Sequence, residues 1–187
     1  VLRHGPPLFC AVGALWPSSW GVPYGGNQEG NSRALEVISI LYCGKGAAMK
    51  CTTMKKRING STEVAPVFRA ILDAEGEMDR DKEHFWAMSL DTKNHIRSIE
   101  LISLGLLDQT VVHPREVFRP AIACAAKNVI LAHNHPSGDP TPSDKDISLT
   151  SRLRECGQLL DIPVLDHVVI GEGDTYWSMA EHGWSNS

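Results

Sequence analysis

The stretch from His133 to Asp146, His-Asn-His-Pro-Ser-Gly-Asp-Pro-Thr-Pro-Ser-Asp-Lys-Asp, constrains this chain more than any other. It follows Val129-Ile130-Leu131-Ala132, an apolar run suited to a buried strand, so His133 and His135 stand at a strand's end. Residues two apart on an extended chain point to one face, and both imidazoles can therefore reach a single ion. Eleven residues after His135 comes Asp146, where a helix begins. The loop before it, stiffened by Pro136, Pro140 and Pro142, can carry that carboxylate back to the histidines. Two neutral imidazoles and one carboxylate leave the fourth position of a tetrahedral Zn2+ to water, the arrangement of a catalytic rather than a structural zinc. Ser143-x-x-Asp146 is also a helix-capping pattern, the serine capping and the acid complementing the helix dipole. Both readings can hold together, because a carboxylate in the first helical turn is pre-oriented as a ligand.

A chain of 187 residues, 42% of them apolar, has room for one domain with a true core plus an appendage. Its net charge of -4 comes without any block of like charges, and the absence of a basic stripe argues against a nucleic-acid-binding module. The five cysteines (Cys10, Cys43, Cys51, Cys124, Cys156) are odd in number and form no Cys-x-x-Cys pair. That pattern suits reduced thiols in a cytoplasmic protein better than a disulfide framework or a cysteine zinc site. No apolar run reaches the ~20 residues of a membrane helix.

Residues 1–53 differ in kind from the rest: Trp16, Trp20, Tyr24 and Tyr42 stand among Gly, Pro and Ser, and neither structural period is sustained apart from a short helical patch at Ala34–Tyr42. This part reads as a poorly ordered extension, or as sequence upstream of a true start at Met49 or Met54. The apolar run Leu8–Trp16 resembles a signal peptide only faintly. Order begins near Ser61, where Val64, Val67, Phe68, Ile71 and Leu72 predict an amphipathic helix capped by Ser61 or Thr62. Glu83–Leu90 and His95–Leu104 predict a hairpin around Asp91-Thr92-Lys93-Asn94. His113-Pro114 opens a helix running to Lys127, in which Pro120 should cause a bend or restart. The strand Val129–Ala132 follows. A helix over Ser143–Leu160 comes next, with Leu149, Leu153, Cys156 and Leu160 on its inner face, and then strands at Ile162–Ile170 and Tyr176–Met179. The pattern predicts a mixed α/β domain over residues 54–187, a mostly antiparallel or mixed sheet flanked by helices.

His133-x-His135, seven residues, Ser143, two residues and Asp146 together resemble the motif of the JAB/MPN metalloproteases, also called JAMM. The fuller string is similar to their RadC-like branch, as are Glu83-His84-Phe85, Leu90-Asp91-Thr92-Lys93-Asn94, His113-Pro114-Arg115-Glu116-Val117-Phe118 and Leu165-Asp166-His167. The resemblance covers about residues 61–183. It implies the cytidine-deaminase-like MPN fold, Zn2+ as cofactor and a peptide or protein substrate. It also implies that Glu83 is the general acid/base needed beside the metal, and that Ser143 donates a hydrogen bond to the oxyanion. Glu100 and Glu116 are the other acids upstream of the histidines. Asp166 and His167 are candidates for groups behind the metal ligands, or for a buried histidine satisfied within its strand; His113 reads as a helix-start residue. Two other functions come with the resemblance. One is nucleic-acid processing, from the association of RadC-like proteins with DNA repair. The other is a non-catalytic MPN interaction module, which the full set of ligands argues against.

Overall fold

Short apolar runs and segments with a hydrophobic period near 3.6 follow one another along the chain, and the backbone forms strands and helices accordingly. The computed structural model describes residues 56–105 and 112–183, so residues 1–53, with the short helix expected at Ala34–Tyr42, lie outside the described residues. The elements are α1 (Ser61–Asp73), the single turn α2 (Glu77–Arg80), β1 (Glu83–Leu90), β2 (Ile96–Gly105), α3 (Pro114–Ala123), β3 (Asn128–Asn134), α4 (Asp144–Leu159), β4 (Val164–Ile170) and β5 (Tyr176–Ser178). The strands form one open mixed sheet in the order β2-β1-β3-β4-β5. β1 runs antiparallel to β2 and β3, β3 and β4 are parallel, and β5 returns antiparallel. The parallel pair is joined through α4, as a parallel crossover requires.

Alternation along each strand divides the side chains between two cores. Trp86, Met88, Leu90, Ile130, Ala132, Val168 and Ile170 pack with Val64, Val67, Phe68 and Ile71 of α1. Phe85, Ala87, Val129, Leu131 and Val164 pack with Val117, Phe118 and Ala121 of α3 and Leu153 of α4. The sheet is thus the middle of three layers, and burying each large side chain contributes about 1.5–3 kcal/mol. Because side chains two apart share a face, Glu83, Phe85, His133 and His167 belong to the α3/α4 side, while His84, Asn134 and Asp166 belong to the α1 side.

Several local expectations are corrected. The N-cap of α1 is Gly60, without a side-chain cap; the Ser61 hydroxyl instead donates to Glu181, drawing the C-terminal segment onto the helix. His113 is the N-cap of α3, its Nδ1 accepting from the Arg115 N–H, as expected of a helix-start residue. Pro120, however, lies within a helix that continues through it, and the helix ends at Ala123, short of Lys127. Pro120 removes one donor to the Glu116 carbonyl, but its ring is buried, and packing holds the turn together. On α4 the buried stripe is Asp146, Thr150, Leu153 and Gly157. Leu153 is fully buried, and Leu149 and Cys156 pack beside it as expected, but Leu160 is 45% exposed. β1 is an interior strand, flanked by β2 and β3, so Glu83 is not on a sheet edge.

Candidate metal centre

β3 carries the apolar run into the sheet's interior and delivers His133 at its end, fully buried. The chain then bends at His135, where the His135 N–H donates to the Ile170 carbonyl and the Gly138 N–H to the His135 carbonyl. His135 Nδ1 lies 2.7 Å from the Asp139 carbonyl, which can only accept; Nδ1 therefore carries a proton, and in the neutral ring Nε2 is bare. Asp146 enters from α4 through the expected capping box: the Ser143 N–H and Oγ–H reach Asp146 Oδ2 at 2.7 and 2.6 Å, and the Asp146 N–H returns to Ser143 Oγ at 3.3 Å.

These three side chains converge. His133 Nε2 and His135 Nε2 are 2.9 Å apart, and they lie 3.4 and 3.5 Å from Asp146 Oδ1 and Oδ2 respectively. A tetrahedron with metal–ligand bonds of ~2.0–2.1 Å has edges of roughly 3.3–3.4 Å, so the donor set fits a small divalent ion with little movement. Among the described residues, His133, His135 and Asp146 are the group of histidine and carboxylate side chains that could hold a metal ion. Burial raises the Asp146 carboxyl, but the adjacent His133 and His135 imidazoles and the Ser143 hydroxyl outweigh it and hold the group well below the usual carboxylate range. The hydrogen bond to Asp146 raises the His135 imidazole against the effect of burial, with the Asp139 carbonyl and the charges of Asp146 and Glu83 adding.

Glu83 opens β1, whose register pairs Phe85 with His133; carried two residues further, the same register sets Glu83 beside His135. Between the strands, Phe85 stacks on His133 with ring centroids 6.2 Å apart and meets His167 edge-on at 5.4 Å. The two residues of the Leu165-Asp166-His167 segment part company. His167 lies behind the site, with Nε2 2.8 Å from His133 Nδ1. Asp166, on the other face, accepts from the His167 and Ala180 N–H groups and from the Ser178 hydroxyl, tying the C-terminal segment to β4. Burial raises the Asp166 carboxyl, and burial together with the His133 charge lowers His167. Glu116 is paired with Arg119 at 3.0 Å on the exposed side of α3, and Glu100 is half-buried on β2, where burial raises it; neither takes part in the cluster.

Two supports escaped the sequence. Thr150, one helical turn after Asp146, lies with Oγ1 2.6 Å from His167 Nδ1; its i, i+4 spacing from a candidate ligand was a usable signal. Gly171, after β4, is approached so closely by the histidine loop that a Cβ would stand 2.6 Å from the Gly138 carbonyl oxygen and 2.9 Å from Pro140 Cδ. Arg69 of α1 holds this turn, donating to the Gly171 and Thr175 carbonyls at 3.1 and 3.0 Å.

The family model of the RadC-like JAB domain matches residues 58–184. The chain belongs to this family. A relative from Desulfitobacterium hafniense, named UPF0758 protein, is 42% identical over 154 residues, 82% of this chain. Another UPF0758 protein, from Methanococcoides burtonii, is 40% identical over 83% of this chain. A third, from Caldanaerobacter subterraneus, reaches 58% identity over 92 residues, or 49% of this chain and 40% of its own length. The matched part spans 65% of the length of the first two relatives. No helix among the described residues is long and apolar enough to cross a membrane.

Proposed function

We propose that this RadC-like JAB domain is a zinc-dependent hydrolase of a peptide or isopeptide bond. The observation that carries the reading is the convergence of His133 Nε2, His135 Nε2 and the Asp146 carboxylate at the end of β3, with Glu83 on the adjoining strand. Zn2+ bound there would supply a Lewis acid and a water acidified towards a pKa of ~7. Glu83 takes up a proton at its carboxylate and returns it to the leaving amine nitrogen, a role that contributes roughly 10²–10⁴ in rate. His133 and His135 would hold the ion through Nε2, with Nδ1 of His135 facing the Asp139 carbonyl and Nδ1 of His133 facing His167. Ser143 is exposed, and its hydroxyl, turned to Asp146 in this structure, would donate to the carbonyl oxygen as negative charge develops. One donor of this kind contributes ~3–4 kcal/mol.

The test begins with zinc quantification in the purified chain and in His135→Ala and Asp146→Ala, both of which should lose the metal. A peptide-library screen follows, in which Glu83→Gln should keep the zinc and lose at least ~10²-fold in cleavage, while Glu116→Gln remains active. Cleavage that survives Glu83→Gln but not Glu116→Gln reassigns the base. A nucleic-acid substrate cut in a zinc- and Glu83-dependent way replaces the peptide reading.

A further inference from the structure

Behind His133 the group within hydrogen-bond reach of its outer nitrogen is another imidazole, His167. A metal-bound histidine is ordinarily oriented by a carboxylate, a backbone carbonyl or a water, each of which dictates by its own chemistry where the proton lies. An imidazole can donate or accept at either nitrogen, so His167 alone cannot impose a direction on His133. The direction has to come from the next group along.

We infer that Thr150 is a positioning residue of the metal centre, which, acting through His167, fixes the nitrogen that His133 turns toward the metal position. The inference rests on the metal-centre reading above and extends it to two further residues. Thr150 Oγ1 lies 2.5 Å from the main-chain carbonyl of Asp146, an acceptor only, so the single hydroxyl proton is committed there. The hydroxyl can then only accept from His167 Nδ1 at 2.6 Å, and that nitrogen carries the proton. A buried neutral imidazole has one N–H, which leaves His167 Nε2 bare to accept the Nδ1–H of His133 at 2.8 Å. His133 Nε2 is consequently free of hydrogen and faces His135 Nε2 and Asp146. The chain starts on the carbonyl of Asp146 and ends beside its carboxylate, so α4 both supplies one ligand and sets the tautomer of another. Thr150 and His167 are 1% and 0% exposed, which shuts out water as a substitute partner.

The test uses the full chain and zinc affinity measured by competition with a chelator, beside thermal unfolding of the metal-free protein. Thr150→Val keeps the shape and removes both roles of the hydroxyl; it should weaken zinc binding by roughly 10–100-fold, while Thr150→Ser restores affinity to within about threefold. In the zinc-loaded wild type, nuclear magnetic resonance should show slowly exchanging ring N–H protons on the Nδ1 atoms of both His133 and His167, and Thr150→Val should lose the one on His167. If Thr150→Val fails to fold, His167→Gln, whose amide can donate to Thr150 and accept from His133, should bind zinc more tightly than His167→Leu. Equal zinc affinity in wild type and Thr150→Val, or in His167→Gln and His167→Leu, overturns the inference while leaving the metal centre intact. A wild-type chain that binds no zinc overturns both.

Discussion

Substituting Gly171 by alanine should damage the metal centre without touching any ligand. A Cβ at this position stands 2.5 Å from Thr175 Oγ1, 2.6 Å from the Gly138 carbonyl oxygen and 2.9 Å from Pro140 Cδ. Thr175 can rotate away, but Gly138 and Pro140 are backbone and ring. To reach an ordinary contact of 3.4 Å the loop must recede by about 0.8 Å. The same loop presents the Asp139 carbonyl to His135 Nδ1 at 2.7 Å, and a shift of that size stretches the bond past useful geometry. Overpacking of this kind costs about 1–3 kcal/mol, and loss of a group that orients a ligand lowers metal affinity about 10–100-fold. Urea unfolding of the metal-free protein gives the first quantity and zinc competition the second. Gly173→Ala is the matched control in the same turn: its φ of +57° imposes about 1–2 kcal/mol of strain, but its Cβ meets nothing within 4 Å. Gly173→Ala should therefore lose stability and keep its zinc affinity. If Gly171→Ala binds zinc as tightly as Gly173→Ala, the loop does not position His135 through this contact.

Other perturbations separate the two faces of the sheet. Phe68→Ala, on the α1 side and fully buried against Trp86, should cost about 3–5 kcal/mol in urea unfolding and leave zinc affinity unchanged. Asp166, raised by burial, favours folding most in its protonated form; its contribution is complete below the unfolded value of about 3.9 and is lost as pH rises through the folded value. Asp166→Asn should flatten that part of the stability–pH curve and stay within about 1 kcal/mol of wild type at pH 7, whereas Asp166→Ala, which strands the His167 and Ala180 N–H groups, should lose about 3 kcal/mol. After chelator treatment, zinc at 100 times its dissociation constant should add about 2.7 kcal/mol to folding, and Asp146→Asn should abolish that gain at the same zinc concentration.

The apolar run Val129–Ala132 and the segment Glu83–Leu90 were legible as strands, and the hairpin at Asp91–Asn94 followed from its turn residues. The helix start at Ser143 was equally legible, since a capping box is a contact among neighbours in the chain. Where burial competed with local preference, the local reading failed. Pro120 sits in an uninterrupted helix because its ring packs into the core, and Ser61 serves Glu181 rather than its own helix. His133, His135 and Asp146 are brought together by a short loop, and their spacing announced them.

Strand order left no trace in the residues, and on it the rest of the site depends. That β1 lies between β2 and β3 puts Glu83 near His135, and that β4 lies parallel to β3 sets His167 behind His133. Sequence by itself pointed to the candidate ligands, the Ser143 cap and most of the elements, because each depends on residues close together in the chain. The tertiary structure brought Glu83, rather than Glu100 or Glu116, beside His135, set His167 rather than Asp166 behind His133, and showed which glycine admits the loop. Those choices arise from pairing segments 17 to 50 residues apart, such as Thr150 with His167 and His84 with Asn134, under the requirement that both faces of one sheet be buried.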